Sequence, residues 1–122
     1  MAQLDGSDIV YVARVPVAKI ISIAVHIGTR FPAIATSMGK VLLAHLEPAQ
    51  RAAVLSLPSR SGVVPAVTPS VTALDKELAQ IRKRGWALSD ERLARGIRSV
   101  AAPLRDADGN CLAAIKIGRA HV

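Results

Sequence analysis

Ser37, Ser89, Ser99 and Lys116 are polar residues set among aliphatic neighbours, the composition of a modest binding pocket rather than of a reaction centre. The stretch G-T-R-F-P-A-I-A-T-S-M-G-K-V-L-L-A-H-L at residues 28–46 adds a backbone site. There Phe31-Pro32 breaks an apolar strand, and Met38, Val41, Leu42 and Leu46 then follow helical spacing. Either Thr36 or Ser37 can cap that helix. A helix start carries N–H groups without intrahelical partners and the positive end of a macrodipole, which suit a small anion. The same residues also have an ordinary reading, in which Ser37 merely caps and Met38 merely fills core.

Reaction chemistry finds no foothold. A phosphate-binding loop of the Walker type needs glycine five residues before Gly39 and Ser or Thr after Lys40, where Ile34 and Val41 stand. There is no H-E-x-x-H, no second cysteine to share zinc with Cys111, and no G-x-S-x-G elbow. His26, His45 and His121 are scattered, and His26, alone in an apolar run, reads as a structural histidine. The sequence thus predicts no catalytic residue, no metal site and no cofactor. Lys116 falls on a strand, where the usual fate of a lysine is an edge or solvated position with its stem over apolar neighbours.

The elements that position these groups must come from one domain spanning 1–122, with an aliphatic core. Half the 122 residues are apolar, but aromatics are few, and Trp86, Phe31 and Tyr11 are the only large rings. No apolar run has the length of a membrane span and the first residues lack the charged-then-apolar order of a signal peptide, so a soluble, cytoplasmic protein is expected. The single Cys111 cannot form an internal disulfide. A net charge of +7 favours anionic partners. The basic residues are nevertheless dispersed, with no helix-turn-helix and no aromatic stacking surface for nucleic acid.

Along the chain, Asp5-Gly6-Ser7-Asp8 predicts a hairpin between apolar segments at 1–4 and 9–15, followed by a third strand at 19–27 with both faces covered. Glu47-Pro48 restarts a second short helix after the first. Residues 58–69 read as an irregular surface connection. A near capping box at Thr72 to Asp75 opens a helix whose face is Leu74, Leu78 and Ile81, ending at Gly85. The basic cluster Arg82-Lys83-Arg84 suits that helix's last turn. A short strand at 86–88, a polar connector at 89–96, and a hairpin of 97–105 with 111–118 around D-A-D-G-N complete the pattern. Period-two alternation puts Ile97, Ser99 and Ala101 on one face of the first hairpin strand. It does the same for Leu112, Ala114, Lys116 and Gly118 on the second.

Five segments in order now carry a resemblance that covers essentially the whole chain. They are L-D-G-S-D-I-V-Y-V-A-R-V-P at 4–16, G-T-R-F-P-A at 28–33, T-S-M-G-K-V-L-L-A at 36–44, G-W-A-L-S-D-E at 85–91 and G-I-R-S-V-A-A-P-L-R-D at 96–106. The chain resembles the effector-binding domain of IclR-type bacterial transcription regulators, most of all the Pca/Pob regulators of aromatic-acid catabolism. The resemblance implies an α+β fold, a curved antiparallel sheet with helices packed on it, related to GAF and profilin-like domains. It implies no catalysis and a pocket for a small organic acid, such as the aromatic or dicarboxylic acids of the β-ketoadipate pathway. The pocket would use backbone groups at Ser37 and Met38 and walls at Ile20, Ile23 and Phe31. Further positions fall on Ser89, Ile97, Ser99, Lys116 and Gly118.

Two departures from the family's pattern matter. Ser89 stands where many members carry Asp, and Lys116 where Ser or Asn is usual, so both changes favour an anion, with Lys116 expected to meet an effector carboxylate. Arg92, where Glu is common, is expected to alter only a surface pair. The chain is also shorter than the family's domain. A DNA-reading winged helix, a linker helix, an early helix and a closing helix are absent from it, so DNA would be bound only through a domain outside this chain. Apolar sheet surface would be left for another copy to cover in a homodimer or homotetramer. The competing expectation is an oligomerisation module with no ligand.

Overall fold

The computed structural model describes residues 1–13, 27–64, 68–90 and 97–120. β1 (Ala2–Asp5) and β2 (Asp8–Tyr11) pair through a two-residue loop in which Gly6, at φ 62°, supplies the left-handed backbone that so tight a hairpin requires. β3 (Arg30–Pro32) pairs with β2, and a single 3₁₀ turn, Ala33–Ala35, leads into α1 (Ser37–Ala44). Then come α2 (Pro48–Leu55), α3 (Val71–Arg84), β4 (Ala87–Asp90), β5 (Ile97–Arg105) and β6 (Cys111–Ala120). The six strands form one antiparallel sheet in the order β3-β2-β1-β6-β5-β4, so the opening hairpin joins the closing one through β1 and β6. This is the α+β arrangement expected, a curved antiparallel sheet with helices packed on it.

Directly opposed residues of antiparallel strands share a face, so the register lays out the inner face in rows. One row is Tyr11, Ala2, Ala114 and Pro103, the next Lys116, Ala101 and Ala87, and the next Gly118, Ser99 and Ser89. The alanines let α1 lie close over the sheet. All eight of its residues are buried, with α3 covering its other side through Leu74, Leu78 and Ile81. Lys40, buried within α1, is paired to Glu77 of α3.

Several expectations are corrected. Residues 19–26 of the expected third strand, His26 among them, lie outside the described residues. Ile27 lies in an exposed turn, because Gly28 at φ 90° turns the chain there and its N–H bonds the Tyr11 carbonyl at 2.8 Å. Phe31-Pro32 does not merely break a strand but belongs to one. Pro32 is tolerated because β3 is the sheet's edge. The α3 cap is Ser70, whose Oγ accepts from the Ala73 N–H at 3.2 Å, so the helix starts before Thr72. Asp75 pairs with Arg51 of α2 instead. β4 runs on to Asp90, since Ser89 and Asp90 find partners in Ser99 and Arg98 of β5. Trp86 precedes it, with the Arg84 guanidinium 4.1 Å above its ring. The connector residues 91–96, Arg92 included, lie outside the described residues.

The connection after α2 is anchored at its start. Asp8, almost wholly buried, accepts from Ser59 Oγ at 2.6 Å and the Arg60 N–H at 2.8 Å, and pairs with Arg30 at 3.3 Å. A buried carboxylate is stable only with such partners. Arg30 also reaches Asp5 at 2.7 Å, and this hydrogen bond and charge hold the Asp5 carboxyl below its usual range.

The 3₁₀ turn sits so close to α1 that a methyl on Gly39 would be driven into the Ala33 carbonyl. Alanine gains about 1 kcal/mol over glycine in a helix, but overpacking against backbone costs about 1–3 kcal/mol or more. Gly39→Ala is therefore expected to lower stability by at least ~1 kcal/mol in spite of its better propensity, read as a lower midpoint in urea denaturation.

Candidate functional site

The start of α1 and the row Gly118, Ser99, Ser89 meet at one end of the inner face. Thr36, not Ser37, is the cap: its Oγ1 accepts from the Gly39 N–H at 2.9 Å, and its extended backbone hands the chain into the helix. That division of labour frees Ser37, the first helical residue, whose hydroxyl meets the Ser99 hydroxyl at 3.1 Å. Both serines are buried. Thr36 satisfies one first-turn donor. The Ser37 and Met38 N–H groups have no protein acceptor among the described residues.

Of the ten expected positions, the register brings five to this end of the sheet. Ser89 and Gly118 lie directly opposite Ser99 on either side, Ile97 lies two residues before it on β5, and Lys116 lies one row further in. Ser37 comes to them from α1. The Met38 side chain fills the hydrophobic core, so its backbone alone can serve a ligand. Phe31 is half-buried on β3 and meets the Tyr11 ring edge-on, centroids 6.1 Å apart. Ile20 and Ile23 lie outside the described residues.

Lys116 corrects the expectation of an edge or solvated lysine. β6 is an interior strand, and Lys116 stands opposite the fully buried Ala101 on the inner face. Its Nζ donates to the Tyr11 hydroxyl at 3.0 Å and lies 5.5 Å from the ring centroid. Tyr11 itself escaped the sequence reading. The available signal was that the chain's only tyrosine shares strand parity with the core residue Ile9.

An open cleft of about 440 Å³ lies at the opposite end of α1, lined in part by Leu42, His45, Cys111 and Leu112. It holds no reactive pair. His45 Nδ1 donates to the Val41 carbonyl at 2.8 Å and Nε2 accepts from Arg105 at 2.9 Å, so the ring bridges helix and sheet. Burial pushes the Cys111 thiol up, away from the thiolate that nucleophilic chemistry requires. Among the described residues there is no group of three or more metal-ligating side chains, and no helix is long and apolar enough to cross a membrane.

Comparison with known proteins follows the same lines. The family described as bacterial transcriptional regulator IclR C-terminal matches residues 1–121. The Pca regulon regulatory protein of Pseudomonas putida is 36% identical over 118 residues, which are 96% of this chain and 40% of that protein. A double mutant of the PobR inducer-binding domain from Acinetobacter, in complex with 3-hydroxybenzoic acid, superposes with a TM-score of 0.80 at 28% identity. That match covers 98% of this chain and 69% of the other. An IclR homologue from Microbacterium hydrocarbonoxydans, complexed with 4-hydroxybenzoate, gives a TM-score of 0.79 at 27% identity, covering 98% and 49%. The chain spans less than half the length of the curated relatives it matches.

The serine pair can be checked without any ligand. Ser37→Ala and Ser99→Ala each leave the other hydroxyl buried and alone, at an expected cost of about 1 kcal/mol. The double variant is expected to cost less than the sum, because no orphan remains. A double-mutant cycle by urea denaturation reads this directly, and strict additivity would mean that the two hydroxyls do not interact.

Proposed function

Because the chain belongs to the IclR C-terminal family of bacterial transcriptional regulators, we propose that it is a sensing domain that takes a small organic acid between the start of α1 and the inner face of β4–β6. Ser37, Met38, Ser89, Ile97, Ser99, Lys116 and Gly118 line the site in this reading, with Phe31, Ile20 and Ile23 as further wall. The observation that carries it is the buried Ser37–Ser99 hydroxyl pair beside first-turn N–H groups without acceptors among the described residues. Small hydroxyls and free amides at the rim of an aliphatic core are what a polar effector needs. The hydroxybenzoates held by the two similar structures support aromatic hydroxy acids as the class to try first.

In a regulator, ligand binding would shift the population of assembly states, and DNA would be contacted by a domain outside this chain. The sheet's outer face supports a homodimer or homotetramer. Leu88, Val100 and Ile117 stand directly opposite one another across three strands and are all exposed. That same face favours the rival reading, an oligomerisation module without a ligand.

A thermal-shift screen of hydroxybenzoates, benzoate and aliphatic dicarboxylates separates the two. An acid at a hundred times its Kd stabilises the folded state by about 2.7 kcal/mol, expected as a rise in Tm of roughly 6–12 °C. If no acid moves Tm while the protein self-associates, the sensor reading fails and the packing module remains.

A further inference from the structure

Lys116 stands apart from the other sequestered cations. Lys40 is paired with Glu77, and Arg30 holds both Asp5 and Asp8. Lys116 is also partly buried, on an interior strand, yet among the described residues no carboxylate lies within ion-pair distance of it. Its partners are a neutral phenol hydroxyl and the face of the same ring. Removing an ammonium from water without a counter-charge is costly, and nothing in the packing demands the charge. Its inner-face neighbours are small: Ala114 and Gly118 on β6, and Ala101 on β5.

We infer that Lys116, steadied by Tyr11, is the counter-charge for the ligand's carboxylate and sets the site's preference for acids over neutral molecules. The inference rests on the sensing role proposed above and assigns the polarity of its site. Lys116 is two residues along β6 from Gly118, the partner of Ser99, a strand distance of about 7 Å. A ligand with its carboxylate at Lys116 can extend along the inner face from there toward the row that holds Ser99 and its partner Ser37. Tyr11 acts as a positioning residue: its hydroxyl accepts one ammonium proton and leaves the remaining donors for the ligand.

The test compares 4-hydroxybenzoate with 4-hydroxybenzamide, and benzoate with benzamide, by calorimetry on the parent protein, Lys116→Met, Lys116→Arg and Tyr11→Phe. A shielded charged hydrogen bond corresponds to about a 10- to 100-fold effect on affinity. The parent is expected to prefer each acid over its amide by that factor. Lys116→Met should weaken the acids by the same factor, leave the amides unchanged and so abolish the preference. Lys116→Arg should restore most of it. Tyr11→Phe should weaken the acids by less and keep a preference. Without ligand, Lys116→Met is expected to melt no lower than the parent, because an uncompensated charge has gone. Equal acid binding by parent and Lys116→Met, or a destabilised unliganded Lys116→Met, overturns this role for Lys116 and leaves the sensing role standing. Failure of every acid and amide to bind the parent overturns both.

Discussion

The hydrogen bond from the Gly39 N–H to Thr36 Oγ1 is small, but the arrangement around α1 depends on it. A helix buried along its whole length has little water at its ends, and here each end takes protein partners for part of its orphan backbone groups. Thr36 closes one end from outside the helix, which leaves Ser37 inside it and free to cross to β5. At the other end His45 N–H turns back to the Leu42 and Leu43 carbonyls, and the His45 ring bonds the Val41 carbonyl. Gly39 then allows the preceding 3₁₀ turn to close against the helix, fixing where the first turn sits over the sheet. Move the cap by one residue and the serine pair is lost.

Charge is distributed by the same economy. A chain with net charge +7 must keep its cations in water or pair them, and the pairs here join elements distant in sequence. Asp8 is the clearest case. One buried carboxylate ties β2 to β3 through Arg30 and to the segment after α2 through Ser59 and Arg60. At the surface, Asp106 shapes the β5–β6 turn: the backbone N–H groups of Asn110 and Asp108 bond its carboxylate and hold its pKa below the usual range. A lowered carboxylate pKa stabilises above the unfolded value and ceases to do so as pH falls through the folded one. Asp106 and Asp5 therefore support the fold at neutral pH and stop doing so in acid.

How much could be read from the sequence depends on how local the cause is. The face Leu74, Leu78 and Ile81, the Gly85 terminator and the hairpin around Asp106 to Asn110 follow from short-range periodicity and turn chemistry, and all are present. Neighbouring capping candidates were harder: nothing local decides between Ser70 and Thr72, or between Thr36 and Ser37, until tertiary contacts do. Lys116 shows the limit best. Alternation along β6 grouped it with Ala114 and Gly118, but whether that strand was an edge depended on β1 pairing with it from the far end of the chain. Asp8 looked like a turn residue for the same reason, since its partners Arg30 and Ser59 lie far along the chain. Ser89, Ser99 and Gly118 were legible as candidates, yet their place in one row rests on a register that no single segment specifies.

β5 and β6 carry two surfaces at once, because successive residues of a strand point to opposite faces. Ser99 and Ala101 face α1 while Val100 between them faces out. Lys116 faces in while Ile115 and Ile117 on either side of it face out. The candidate site and the exposed apolar face are thus one residue apart along the same backbone. No relay of side chains is needed between them: a displacement of these strands by a ligand on the inner face shifts the outer face by the same amount. In the proposed reading, a sheet one layer thick, with a buried helix pinned to one face and apolar residues on the other, is a short mechanical path from a bound acid to a contact between copies of the chain. Coupling of that kind needs only that the two assembly states hold the ligand with different affinity. In the same reading, the Lys116 ammonium, with no carboxylate among the described residues in ion-pair reach, is the group on the inner face whose energy changes most when an acid arrives.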